Sequence, residues 1–97
     1  MFDKMKQLME VKSQMEKIKR ELEAAILEIS DIRGIKITVN GAQNFKAIQI
    51  DPLLLGESNK QKLEGDLLRA VNIAVVRSQN VAAQKMKAAT GLNIPGL

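Results

Sequence analysis

From Leu8 onward, apolar side chains recur at alternating steps of three and four residues: Leu8, Val11, Met15, Ile18, Leu22 and Ala25. That spacing lines one face of a helix and approximates an a/d seam over almost three heptads. Met5 and Phe2 extend it less regularly, and neither Gly nor Pro interrupts residues 1–33. The pattern predicts an amphipathic helix over roughly residues 2–25. Three heptads are short for a free-standing coiled coil, so the seam is expected to pack on another helix of the same assembly.

The period then changes to two. Ile35, Ile37 and Val39 alternate with Lys36, Thr38 and Asn40, and Ile48 and Ile50 alternate with Ala47 and Gln49. Both runs read as half-buried strands. Between them stands Asn40-Gly41, a hairpin signal because both residues tolerate positive φ. Asp51-Pro52 ends the return strand. A further strand around Leu27–Ile32 competes with a continuation of the helical seam through Ile29, so the sheet has two or three strands.

Helical spacing returns after "LLLGESNKQKLEG". Ser58 followed by Gln61 is a capping-box signature and places the start of a second helix near Asn59. Leu63, Leu67, Ala70, Val71, Ala74, Ser78, Val81, Ala82 and Met86 continue it, and Gly91, backed by Pro95, is the expected stop. About 30 residues at 1.5 Å each make a rod of roughly 45 Å.

The predicted class is therefore α+β. A long N-terminal helix, a short antiparallel sheet of two to three strands with an Asn-Gly hairpin, and a long C-terminal helix form a single domain over residues 1–97. So little sheet cannot cover two long amphipathic helices, and an isolated hairpin is marginal. A homodimer resolves this, with Leu8, Val11, Met15, Ile18 and Leu22 as its expected interface.

Composition narrows the chemistry. The only aromatic residues are Phe2 and Phe45, so the core must come from aliphatic side chains. Cysteine is absent, which excludes disulfides and is compatible with a reducing cytoplasm. No apolar run approaches the ~18 residues of a membrane span, and "MFDKMKQLME" lacks the apolar centre of a signal peptide. With no His and no Cys, the chain lacks the usual base and nucleophile. Its acids are scattered: Glu16 stands four residues before Arg20, the spacing of a helix-stabilising pair, and Asp51 is placed to terminate a strand. No glycine-rich phosphate loop or metal-ligand spacing occurs. No enzymatic activity, catalytic residue, metal, cofactor or small-molecule substrate is expected.

Charge supplies a positive clue. The net charge is +4, yet residues 2–24 nearly balance, with six cations against five acids. From Leu67 to Leu97 there is no acid, while Arg69, Arg77, Lys85 and Lys87 are present. Arg69 and Lys87, eighteen positions apart, share a helix face opposite Leu63 and Leu67. Asn72, Gln79, Asn80 and Gln84 fill the polar sector between them. Cations and amides without carboxylates suit a surface that tracks phosphates. A solvated face with cations at the helix C-terminus is the plain alternative; it covers Lys85 and Lys87 well and Arg69 poorly. The lack of aromatic stacking platforms argues against a single-strand binder.

Five segments also carry a resemblance. "MFDKMKQLM", "ITVNG", "IDPLLL", "LLRAVNIAV" and "KMKAATGLNIPGL" stand in an order and spacing that resemble the YbaB/EbfC family of bacterial nucleoid-associated DNA-binding proteins. The resemblance spans nearly the whole chain. It implies an α/β homodimer with projecting helices that binds DNA with limited sequence preference on the nucleoid, in the bacterial cytoplasm. One segment departs: family members commonly carry a glycine-rich stretch between the first two strands, where this chain has only "SDIRG".

The sequence thus points to a non-enzymatic homodimer that binds double-stranded DNA. Arg69, Arg77, Lys85 and Lys87 are the expected main phosphate contacts. Lys4, Lys6, Lys12, Lys19 and Arg20 are secondary, being partly offset by neighbouring glutamates. The competing reading is a small dimeric adaptor that captures a partner protein on an exposed helical seam.

Overall fold

In the computed structural model, which describes residues 2–90 (the side chains of Phe2 and Thr90 excepted), the elements follow the expected order. They are α1 (Phe2–Ala24), β1 (Ile26–Ile29), β2 (Ile35–Asn40), β3 (Phe45–Ile50) and α2 (Lys60–Thr90). Two 3₁₀ turns, Pro52–Leu54 and Glu57–Asn59, join β3 to α2. The expected helix stop at Gly91 and Pro95, and the extension of the seam to Phe2, lie outside the described residues.

The strands form one antiparallel sheet in the order β1-β2-β3. Its register sets Leu27 against Val39, Ile29 against Ile37, Ile37 against Ile48 and Ile35 against Ile50. Residues paired across strands share a face, so the β-branched row of β2 is flanked by aliphatics from both neighbours. Ile29, Ile35, Ile37 and Val39 are buried against Ala70 and Ala74 of α2. Small side chains at these i, i+4 positions let the helix lie close on the sheet. Ser78 is the next residue of that row; its buried hydroxyl donates to the Asn40 carbonyl at 2.8 Å, so the polar group is satisfied.

α2 lies over β1 and β2. β3 is left at the edge, and the side chains it aims toward the helix side stay open to solvent. Ile48 is 48% exposed although its register partner Ile37 is completely buried.

The hairpin differs from expectation. Neither Asn40 nor Gly41 has positive φ; that conformation falls on Gln43, at +63°. The loop is a three-residue connection, closed by hydrogen bonds from Gln43 N–H to the Asn40 carbonyl and from Asn40 N–H to the Asn44 carbonyl, both 3.1 Å. Asn40 serves as a bracket instead. Its Oδ1 accepts from the N–H groups of Ala42 and Asn44, at 3.0 and 2.9 Å, and its Nδ2 donates to the Glu23 carbonyl. Gly41 N–H donates to the carbonyls of Leu22 and Ala25 at 2.9 and 3.0 Å. The hairpin therefore ties the end of α1 to the sheet.

Gly41 is needed for close approach. A Cβ there would stand 3.1 Å from the Leu22 carbonyl oxygen and 3.2 Å from both a Leu22 methyl and a Val81 methyl. Gly41→Val should lower stability by about 1–3 kcal/mol through overpacking, read as a fall in melting temperature. An unchanged melting temperature would show that α1 and α2 can part at this junction without loss.

Three local expectations give way to tertiary geometry. Ser58 lies inside the second 3₁₀ turn, so the capping box does not form. The Glu16–Arg20 pair is absent among the described residues. Most consequential is the seam of α1, which divides. Ile18 is 6% exposed and Leu22 is half-buried, both taken up within the chain, whereas Leu8, at 69%, together with Val11 and Met15 remains exposed. Of the five expected interface residues, Ile18 is thus covered within its own chain and Leu22 partly so. The outer half of α1 runs on past α2, and the molecule measures 68 × 24 × 16 Å.

Candidate nucleic-acid interface

The ion pairs of the described residues are five, and all of them lie on the sheet, the β1–β2 loop and residues 60–77 of α2. Lys36 pairs with Glu28 across β1 and β2, and Lys60 with Glu64 along α2. Asp66 receives both Lys62, at 2.9 Å, and Arg69, at 2.5 Å. Arg77 reaches across to the β1–β2 loop and grips Asp31 with both ends of its guanidinium, at 2.6 and 2.5 Å.

These contacts fix the charge states. Hydrogen bonding from Arg77 holds the Asp31 carboxyl below the usual carboxylate range, and the same bond raises the Arg77 guanidinium. Asp66 is lowered by its bonds from Lys62 and Arg69. A depressed carboxylate stabilises the fold above its unfolded pKa and loses that contribution as pH falls through its folded value. Both carboxylates therefore stay ionised at neutral pH, and the stability they contribute is lost in acid.

Away from this balanced body stands an arm, made of α1 and the last turns of α2. It carries Lys4, Lys6, Lys12, Lys17, Lys19, Arg20, Lys85 and Lys87 against Asp3, Glu10, Glu16, Glu21 and Glu23. Eight cations against five acids place three of the four net positive charges of the chain on the arm. None of these cations forms an ion pair among the described residues. Lys12 and Lys19, seven residues apart, share a face of α1; Lys6 and Arg20 share another. Between the helices runs an open groove of about 330 Å³, lined by Gln14, Lys17, Ile18, Glu21, Lys85, Ala88 and Ala89.

The four expected main contacts are thus dispersed. Arg69 and Lys87 share the outward face of α2, as the helical spacing requires, but Arg69 is held by Asp66. Arg77 is turned aside to Asp31. Lys85 points toward α1 and is half-buried, while Lys87 is open. The five α1 cations named as secondary are all exposed and unpaired. Sequence reasoning missed Asp31, because an acid 46 residues from Arg77 leaves no local signal. Lys17 belongs with the cluster and was legible as one of the six cations of the first helix.

Among the described residues no group of three or more His, Cys, Asp or Glu could hold a metal ion. No described helix is long and apolar enough to cross a membrane.

The chain is similar to known proteins over nearly its whole length. The family model of the YbaB/EbfC DNA-binding family matches residues 1–92. A protein of Syntrophobacter fumaroxidans (strain DSM 10017 / MPOB) named nucleoid-associated protein is 34% identical over 98 residues, covering 99% of this chain and 89% of that protein.

Proposed function

This chain belongs to the YbaB/EbfC DNA-binding family, and from that premise we propose that it is a non-enzymatic nucleoid protein of the bacterial cytoplasm that grips duplex DNA as a homodimer through phosphate contacts from its helical arms. The observation that carries this reading is the separation of charge: the body is nearly balanced and pairs most of its cations, while three of the four net positive charges stand on a projecting arm whose cations are unpaired among the described residues. Such a surface attracts a polyanion without selecting a base sequence, because phosphate contacts position a protein and carry no sequence information. In this reading Lys4, Lys6, Lys12, Lys19, Arg20 and Lys87 make the first contacts. Lys85 borders the groove, and Arg69 and Arg77 lie behind their carboxylates.

A dimer is supported by what stays uncovered. β3 presents an unpaired backbone edge and, beside it, the open side chains of Phe45 and Ile48. An edge of this kind is self-complementary about a two-fold axis. Leu8, Val11 and Met15 form a second open row on the arm, available to the partner's helix or to DNA-bound neighbours.

A gel shift on random-sequence duplex at two salt concentrations tests the reading. Binding should weaken steeply with salt, be indifferent to sequence, and survive competition by single-stranded RNA. An adaptor would instead retain one protein partner after nuclease treatment and show no salt-dependent shift of DNA.

A further inference from the structure

The Arg77–Asp31 pair joins α2 to the β1–β2 loop in a two-pronged grip, and a carboxylate held in this way occupies the position a phosphate takes on arginine. Resting on the DNA-binding reading above, we propose that Asp31 is an internal stand-in for phosphate: Arg77 exchanges it for the backbone of bound DNA, and Asp31 thereby sets the strength of binding.

Three observations separate this pair from the other held arginine. The first is exposure. The Asp31 side chain is 39% exposed and that of Arg77 46%, so both can be rehydrated or handed to a new partner. The Asp66 side chain is only 9% exposed and depends on Lys62 and Arg69 together. Withdrawing Arg69 would strip a buried carboxylate of one of its two partners, which is costly. Arg69 stays in place, and Arg77 is free to exchange.

The second observation is that the fold does not depend on the grip. The β1–β2 loop is shaped by its own backbone: Ile35 N–H donates to the Ile32 carbonyl at 3.1 Å, and Asp51 N–H to the Gly34 carbonyl at 2.8 Å. Gly34, at φ +85°, takes a conformation other residues resist. On the other side, Ser78 anchors α2 next to Arg77 through its bond to Asn40. Letting go of Asp31 leaves loop and helix where they are.

The third is the balance of charge. While Asp31 sits in the fork, Arg77 contributes nothing to the field that attracts DNA. Once a phosphate replaces it, the released carboxylate stands beside the DNA backbone and opposes it. Asp31 thus restrains binding twice, by occupying the arginine and by repelling the phosphate that displaces it.

The test uses full-length protein and random-sequence duplex. Asp31→Asn should bind at least about 10-fold tighter. The slope of log K against log salt should match wild type, because Arg77 reaches phosphate in both. Arg77→Gln in the same background should abolish the gain and flatten the slope by about 1.8 per homodimer, from two lost contacts at ~0.9 each. A double variant that keeps both gain and slope would mean that any lost negative charge has the same effect, and the proposal falls. Asp31→Asn binding no more tightly than wild type, with a lowered melting temperature, would make the pair a structural brace and also overturn it. Should that variant not fold, wild type answers the question through the Arg77 guanidinium resonances during a duplex titration. They must shift as binding saturates, and resonances that stay fixed overturn the exchange. Wild type that binds no duplex would remove the DNA-binding reading itself; wild type that binds with Arg77 unmoved removes the exchange alone.

Discussion

Changing Lys4, Lys6, Lys12, Lys19 and Arg20 together to glutamine is expected to lower the affinity for duplex DNA by at least about 100-fold near 0.1 M salt. The arm now carries eight cations against five acids; the variant leaves Lys17, Lys85 and Lys87 against the same five acids. Its charge therefore changes sign, and an attractive surface becomes a repulsive one. In a dimer ten positions are altered. If about half of them face one duplex, the salt slope flattens by about four to five. Glutamine is nearly as good a helix former as lysine on an exposed face, so circular dichroism should be unchanged and the loss can be assigned to charge. A folded variant with wild-type affinity and salt slope would take the arm out of DNA binding and leave the contacts to the body alone.

Ile48→Asp should convert the protein from a dimer at micromolar concentration into a folded monomer. Within one chain Ile48 sits on the helix-facing side of the edge strand but clear of α2, 48% exposed, so a carboxylate there remains hydrated and the fold survives. In an interface about a two-fold axis, two such charges would be buried together at several kcal/mol each. The same substitution at Ile18 has a different outcome: that side chain is buried inside its own chain, and Ile18→Asp should unfold it. Light scattering separates dimer from monomer, and circular dichroism separates monomer from unfolded chain. Loss of the second arm should also weaken DNA binding by about 100-fold or more, the usual scale of lost bivalency. A wild type that is a stable folded monomer would overturn the homodimer, and an Ile48→Asp variant that still dimerises would move the assembly surface off β3.

The contrast between Ile48 and Ile18 shows what was legible in the sequence. Every inward residue of β2 was readable, because Ile35, Ile37 and Val39 alternate without a break and a period of two has one interpretation. The face of α2 that meets the sheet was equally plain in Ala70, Ala74 and Ser78. Periodicity reports that a side chain prefers burial, but it does not say what covers it. Leu8, Val11, Met15, Ile18 and Leu22 form one unbroken stripe, and only the position of α2 decides that the last two are spent inside the chain. The hairpin failed for a related reason. Asn40-Gly41 has the chemistry of a two-residue turn, yet Asn40 is drawn into a bracket with Glu23 and Ser78, and the positive φ moves to Gln43. The candidate site was half visible. Counting acids along α2 correctly found a run without any, while Asp31 arrives from another part of the chain and cannot be counted there.

From Asp3 to Ser13 every side chain of α1 is exposed among the described residues, and a helical stretch of about a dozen residues without tertiary cover is marginal. Its backbone amides should trade hydrogen for solvent deuterium almost as fast as those of a loose peptide, while those of Ala70 to Ser78 wait for the whole molecule to open. Whatever settles on the arm must first still it. Part of the energy of that encounter is spent on ordering a limb, and the encounter is correspondingly easy to undo. If the arm holds DNA as proposed, that cost favours repeated brief grasps over a single lasting one.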